Sequence, residues 1–321
     1  MLKKFQEAII AEIAQTHYGD QPAELYDPLA YIMTLGGKRM RPVLTLIGAH
    51  LFGDWQNAIK PAVGVEVFHN FTLMHDDIMD AAPIRRGKAT VHEKWNPNIA
   101  ILSGDVMLVA AYELMLNVQD SALKHVIRRF NKTAAEVCEG QQFDMNFASQ
   151  ENVTKEDYIN MIRLKTAVLL GFALELGAIV NGADAESQRL INEVGTNFGI
   201  GFQLDDDILD VYGDPITFGK QVGGDIIENK KTYLLIDALQ KATGKTAKEL
   251  NTWLGKRKFD KAEKVAAVTA IYNELKIKEA AELKKQHYFD LGFEALKKLP
   301  VEEEKKALLK NFALALIERQ S

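Results

Sequence analysis

The sequence predicts an all-α protein, a single large antiparallel helical bundle. Three observations predict it: apolar residues recur at helical spacing at both ends, strand signals are poor, and only 8 prolines interrupt 321 residues. Near the start, Leu2, Phe5, Ile9 and Ile13 fall three and four apart and share one helix face. At the end, Leu308, Phe312 and Leu316 recur at spacings of four. No β-branched alternation is joined by an Asn-Gly or Asp-Gly turn, so no hairpin is expected.

Breaks fall at recognisable punctuation. Gly36-Gly37 closes one helix and Pro42 suits the first turn of the next. Asn96-Pro97-Asn98, Asn181-Gly182 and Gly213-Asp214-Pro215 read as further turns. With no Ser/Gly/Pro-rich linker and no fixed-period repeat, residues 1–321 read as one helical domain with a central active-site cavity.

Composition excludes several classes. A hydrophobic fraction of 47% supports a sizeable core rather than disorder. The net charge of −5, from 39 basic and 44 acidic residues, argues against a nucleic-acid partner. The single cysteine, Cys138, excludes an internal disulfide and fits a reducing compartment. Lys3 and Lys4 precede a segment broken by Glu7 and Glu12, which does not read as a signal peptide. The most apolar stretch, Ala167 to Val180, is short for a membrane span and contains Glu175. The expected location is the cytoplasm.

The sharpest feature is Asp76-Asp77-Ile78-Met79-Asp80. On a helix these carboxylates crowd one face and repel one another. A solvated acidic face is the plain alternative. Against it, Phe68, Phe71, Leu73 and Met74 precede the cluster, and a buried carboxylate needs a cation. Asp206-Asp207-Ile208-Leu209-Asp210 repeats the pattern 130 residues later, again after apolar sequence. Two such clusters on two helices suit hard cations held by oxygen alone, which favours Mg2+ completed by substrate phosphates. A calcium-binding helix–loop–helix would place oxygen ligands at alternate positions around a glycine, and that pattern is missing.

Basic residues flank both clusters. Gly36-Gly37-Lys38-Arg39-Met40-Arg41-Pro42 sets three cations at a helix boundary, and Arg85-Arg86-Gly87 lies just beyond the first cluster. Gly219-Lys220 and Lys230-Lys231-Thr232 follow the second. Singly, such pairs are usually solvated surface. Together with metal-binding carboxylates they are what a diphosphate site requires, since arginine grips phosphate oxygens as a fork. There is no Walker loop, no dinucleotide fingerprint and no His-Glu-x-x-His motif.

The ordered motifs GGKRMRP, HDDIMD with RRG, GQQFD, KT, FQLDDDILD, and GKQVGGD with KKT run from about Leu35 to Tyr233. In these the chain resembles the trans-isoprenyl diphosphate synthases, the polyprenyl synthetase family, of the short-chain geranylgeranyl or farnesyl type. The resemblance implies an isoprenoid synthase-like bundle that condenses isopentenyl diphosphate with dimethylallyl, geranyl or farnesyl diphosphate. It implies Mg2+, three ions per active site, and a homodimer. Asp76, Asp80, Asp206 and Asp207 take the metal positions, with Asp77 and Asp210 completing the motifs. Arg85 matches the allylic-diphosphate arginine. Lys38, Arg41, His69 and Arg86 match the positions for isopentenyl diphosphate. Lys165, Thr166, Gln203, Lys220 and Lys230 match those around the allylic diphosphate and the developing cation. Gln141 and Asp144 match the GQxxD element. In the run Asp205 to Asp207, Phe202-Gln203 favours Asp206 as the first motif position.

Chain length is expected to depend on Phe71, five residues before Asp76 and about 7.5 Å away along a helix. An aromatic at that position often floors the tunnel in the family, with Phe68 one turn below, and Thr72 is small. The expectation is a C20 geranylgeranyl product over C15 farnesyl. A class I terpene cyclase would share the first cluster but has no need of a second diphosphate site. A non-catalytic partner subunit would have lost a cluster.

Overall fold

The computed structural model describes residues 1–214 and 222–318, and these are overwhelmingly helical, as the spacing predicts. In chain order the first helices are α1 (Leu2–Gln15), α2 (Ala23–Thr34), α3 (Met40–Phe52), α4 (Ile59–Met79), α5 (Val91–Lys94) and α6 (Pro97–Met115). Next come α7 (Asp120–Ser149), α8 (Lys155–Ile162), a π-helical turn at Arg163–Ala167, α9 (Val168–Val180) and α10 (Ala185–Tyr212). The rest are α11 (Gly224–Glu228), α12 (Tyr233–Lys241), α13 (Gly244–Gly255), α14 (Lys261–Glu274), α15 (Ile277–Lys298) and α16 (Glu303–Glu318).

The chain groups into two compact units. The first comprises Met1–Thr133, Phe172–Asn192 and Leu299–Leu308. Its centre is α4, where Val63, Val65, Val67, Phe68 and Met74 are all buried, so this helix is enclosed on more than one face. Helix α6 lies along α4 through Ala100, Gly104, Met107 and Ala111. It begins where the sequence shows Asn96-Pro97: the Asn96 side chain accepts from the Ile99 amide at 2.9 Å, and Pro97 takes the first turn. In α1, Phe5 and Ile9 are fully buried.

The second unit comprises Ala134–Gly171, Glu193–Lys298 and the chain from Leu309. Leu204 and Ile208 of α10, Tyr158 and Met161 of α8, Leu234 and Leu235 of α12, and Ile271 and Tyr272 of α14 form its core. At α16 the buried apolar residues among those described are Leu309 and Ala313, one residue round from Leu308 and Phe312, which stay partly exposed.

One expectation is corrected. Ile84–Arg85 and Lys88–Ala89 pair as a two-residue-loop hairpin, with Arg86 at φ 51° and Gly87 at φ 75°. Positive φ at both central residues is the signature of a type I′ turn, and Arg-Gly serves here in place of Asn-Gly.

Candidate active site

In the first unit, α4 carries Asp76 and Asp77 in its last turn, and Asp80 is the residue that caps it. A helix ends with partial negative charge, so three carboxylates there are electrostatically misplaced unless a cation is present. No basic residue occupies that last turn. Arg85, from the hairpin, supplies one: its Nε donates to both Asp77 oxygens at 2.8 and 2.9 Å, and its Nη2 lies 3.7 Å from Asp76. Burial pushes the Asp77 carboxyl above the usual carboxylate value, against the pull of Arg85. Asp77 is buried, Asp76 partly so, and Asp80 is exposed.

The same unit gathers the basic residues of GGKRMRP and RRG. Arg41 Nη1 donates to His69 Nε2 at 3.0 Å, which makes that nitrogen the acceptor and leaves the ring proton on Nδ1. Burial first, then the charges of Arg41, Arg86, Arg85 and Arg39, hold His69 well below its usual value, so it is neutral at pH 7. Burial likewise lowers Arg41 to about 10, with Glu66 opposing and Arg86 adding to the shift. These arginines divide into two kinds. Arg39 and Arg85 are matched by the carboxylates of Glu66 and Asp77. Arg41 and Arg86 instead have a neutral ring nitrogen and the Gly36 carbonyl as partners. Lys38 is exposed. The positive charge left over is what an anionic ligand would balance.

The adjacent arginines Arg85 and Arg86 point to different partners. The structure separates them by the I′ turn: Arg85 reaches back to Asp77 while Arg86 reaches Gly36.

Aromatic rings back the first cluster. Phe71 is 9% exposed and stands 4.8 Å from the His75 ring, centroid to centroid, and 5.6 Å from Phe68. Phe68 is fully buried and leans on Phe130 at 5.1 Å. His75 Nε2 lies 3.1 Å from the Ile101 carbonyl of α6. Thr72 turns its hydroxyl to the His69 carbonyl at 2.8 Å.

In the second unit, Asp206, Asp207 and Asp210 occupy the last turns of α10, again without a basic residue in the final turn. Asp205 turns to α15, where Lys285 holds it at 2.8 Å. Asp207 is buried, receives the Tyr158 hydroxyl, and accepts from Gln203 Nε2 at 3.1 Å. Burial first, then the charge of Asp225, push its carboxyl up to about 8. Gln203 also accepts from Thr166 at 3.2 Å, which joins Thr166, Gln203, Asp207 and Tyr158 in one chain of bonds. Lys165 pairs with Asp144 at 2.6 Å.

Lys165 and Thr166 lie in the π-helical turn, an arrangement frequent at functional sites. Glycines fit against it from two helices: a Cβ on Gly199 of α10 would stand 2.6 Å from Ala167 Cα, and one on Gly140 of α7 would collide with the Lys165 backbone.

Sequence reasoning missed Tyr158, Asp225, Arg39 and Glu66 as parts of these arrangements. Asp225 donates its amide to Asp210 Oδ2 at 3.0 Å, lies 3.8 Å from Lys230, and is pushed up to about 6 by burial. Its signal was the GGD that closes GKQVGGD. Lys220, expected near the allylic diphosphate, lies outside the described residues. Gln141 has a buried Nε2 without a hydrogen-bond partner.

Both clusters fit a hard cation. Their donors are carboxylate oxygens at the negative ends of helices, and in the second cluster burial, with Asp225 nearby, raises Asp207, a cost that a bound cation would relieve. Among the described residues no three His, Cys, Asp or Glu side chains form a ready-made cage.

Comparison with known proteins places the chain. A family model described as Polyprenyl synthetase matches residues 22–273, drawing on both units. A geranylgeranyl diphosphate synthase of Saccharolobus solfataricus is 39% identical over 276 residues, 84% of this chain and 82% of that protein. A geranylfarnesyl diphosphate synthase of Aeropyrum pernix is 34% identical over 308 residues, 93% of this chain and 95% of that one. A crystal structure of a geranylgeranyl pyrophosphate synthase superposes with a TM-score of 0.95 at 43% identity, covering 100% of this chain and 99% of that one. On the family model, the sequence relatives and the shared fold together, the chain belongs to the polyprenyl synthetase family.

Proposed function

We propose that this chain is a Mg2+-dependent prenyltransferase that adds isopentenyl diphosphate to an allylic diphosphate, with a C20 geranylgeranyl product. The observation that carries this reading is the split among the arginines: Arg39 and Arg85 are ion-paired within the protein, whereas the hydrogen bonds of Arg41 and Arg86 among the described residues go to neutral groups. Cations held in that way beside a carboxylate cluster suit a diphosphate.

The roles follow from chemistry. Asp76, Asp80, Asp206, Asp207 and Asp210 would hold three Mg2+ ions, which supply charge stabilisation to the departing diphosphate. Arg85, Lys165 and Lys230 add fixed positive charge to that oxygen cluster as the allylic carbon–oxygen bond breaks and its electron pair leaves with the diphosphate. Lys38, Arg41, His69 and Arg86 hold the isopentenyl diphosphate, His69 as a neutral donor through Nδ1. The isopentenyl double bond then forms the new carbon–carbon bond to the allylic cation. Loss of a proton to the released diphosphate restores a double bond. Gln203 and Thr166 present amide and hydroxyl dipoles to the cation, and Phe71 closes the apolar pocket against water.

Phe71 and Phe68 form the floor that sets length, a reading supported by the residual exposure of Phe71 and the complete burial of Phe68 behind it. The relatives reported above make geranylgeranyl and geranylfarnesyl diphosphates by name. That favours C20 over C15. Residues 1–321 act as one isoprenoid synthase domain in the cytoplasm, the compartment that fits its single cysteine.

A homodimer is part of the same proposal. Helix α6 is long and apolar enough to cross a membrane by length and composition, with a mean hydropathy of 1.4. Yet its outward face mixes Ile101, Leu102 and Val109 with exposed Asp105 and Glu113. Charged groups among apolar ones suit a protein partner better than lipid, and a second copy of the chain is the partner the family expectation names.

The test is incubation of the purified protein with dimethylallyl and isopentenyl diphosphates and Mg2+, with products resolved by length. Linear C20 diphosphate is expected. Cyclic hydrocarbon or no condensation would reject the proposal.

A further inference from the structure

We propose that Glu66 is a positioning residue for the isopentenyl diphosphate site, acting through Arg39 on the turn that carries Lys38 and Arg41. This rests on the assignment of that site made above.

Glu66 lies within α4 at 2% exposure, where a carboxylate is costly unless it is paired and hydrogen-bonded. It is both. Arg39, itself 10% exposed, donates through Nη1 to Glu66 Oε1, and Asn70 Nδ2 donates to the same oxygen at 3.0 Å. Asn70 also donates to the Glu66 carbonyl at 2.8 Å, so the carboxylate has a fixed orientation. The second Arg39 nitrogen, Nη2, donates to the Met33 carbonyl near the end of α2. The side chain of Arg39 therefore ties α2 and α4 to the residue that starts α3.

The backbone gives that tie a purpose. Arg39 caps α3 at φ 47°, ψ 39°, a left-handed conformation that few non-glycine residues adopt. Such a conformation persists where the surroundings hold it. It sets the direction in which α3 leaves the turn, and so the place of Arg41 two residues on. Lys38 immediately precedes it. The other end of the turn is held separately: Arg86 donates to the Gly36 carbonyl, and Gly37, at φ 118°, makes room for it, since a Cβ there would stand 2.9 Å from Arg86 Cζ. The motif thus carries three cations of two kinds. Arg39 is consumed by Glu66 and Met33 to shape the turn. Lys38 and Arg41 remain for the ligand.

The experiment compares wild type with Glu66→Gln and with the double variant Arg39→Met/Glu66→Met, measuring kcat, both Michaelis constants and Tm. Glu66→Gln keeps size and removes the charge. The expected result is a KM for isopentenyl diphosphate raised about tenfold, with kcat and the allylic KM within about twofold of wild type. The double variant replaces the pair with apolar side chains of similar length and should lose less Tm than Glu66→Gln, because neither member of the pair is left behind without the other. Its KM for isopentenyl diphosphate should remain raised. If the double variant shows wild-type constants for both substrates, or if both KM values rise together in either variant, the positioning role is overturned. Absence of condensation in wild type would instead overturn the assignment of the site, and this inference with it.

Discussion

The two aspartate clusters share one spelling, Asp-Asp-Ile-x-Asp, and both end a helix without basic residues in its last turn. Their middle carboxylates live differently. Asp77 meets a guanidinium in a paired fork from Arg85. Asp207 meets a phenol and an amide, with Asp225 adding negative charge nearby. The middle carboxylate of the first cluster therefore meets a cation directly, whereas that of the second is held by neutral donors. An identical pattern in sequence fixes which residues crowd together but not how their charge is balanced.

The largest expected effect tests whether both clusters serve one reaction. Asp76→Ala and Asp206→Ala should each cut kcat by about a hundredfold or more, since each removes charge stabilisation needed as the leaving group develops. Circular dichroism should show the helices intact. Activity close to wild type in either variant would separate the clusters functionally.

Next in size is the contrast between the hairpin arginines. Arg86→Ala should raise the KM for isopentenyl diphosphate about tenfold, and Arg85→Ala should act mainly on the allylic substrate. Steady-state kinetics with each substrate varied in turn checks this, and equal shifts in both constants would merge the two sites. Phe71→Ala should lengthen the main product by at least one five-carbon unit, as read by chromatography. An unchanged product would put the floor elsewhere.

The middle carboxylates give a smaller difference, in stability rather than rate. Asp77→Asn removes the buried carboxylate that Arg85 grips, leaving Asp76 at 3.7 Å, and should cost about 1–3 kcal/mol in metal-free denaturant unfolding. Asp207→Asn can still accept from Tyr158 and should cost less. Equal losses would mean that the clusters are balanced alike.

The smallest effect concerns His69. Its folded pKa lies below the unfolded value of 6.5, so between the two the unfolded chain binds more protons and stability rises with pH. Acidification through that window costs wild type stability that His69→Gln does not lose. From about pH 7 to about pH 5, Tm should fall less in the variant. Parallel curves would mean that His69 is not held neutral.

Legibility in the sequence followed the range of the physics involved. The helices were legible because α1 repeats its apolar face every three or four residues, and the clusters because two equal runs of aspartate follow apolar sequence. The route of Arg85 and Arg86 was not. An arginine at φ 51° takes the place where Asn or Gly would announce a hairpin, so local propensity gave no warning. Arg39 was read as one more cation because its partner, Glu66, lies 27 residues away in an apolar helix. Tyr158 joins Asp207 across 49 residues and looks in sequence like ordinary core. Such contacts are decided by packing, which periodicity does not encode.

The most direct measurement is calorimetric titration of inorganic diphosphate into wild type, Asp76→Ala and Asp206→Ala, each with and without Mg2+. If both clusters hold diphosphate through divalent cations, wild type binds only with Mg2+ present and each variant loses most of that binding. Binding of equal strength without Mg2+, or wild-type binding in either variant, would contradict the account.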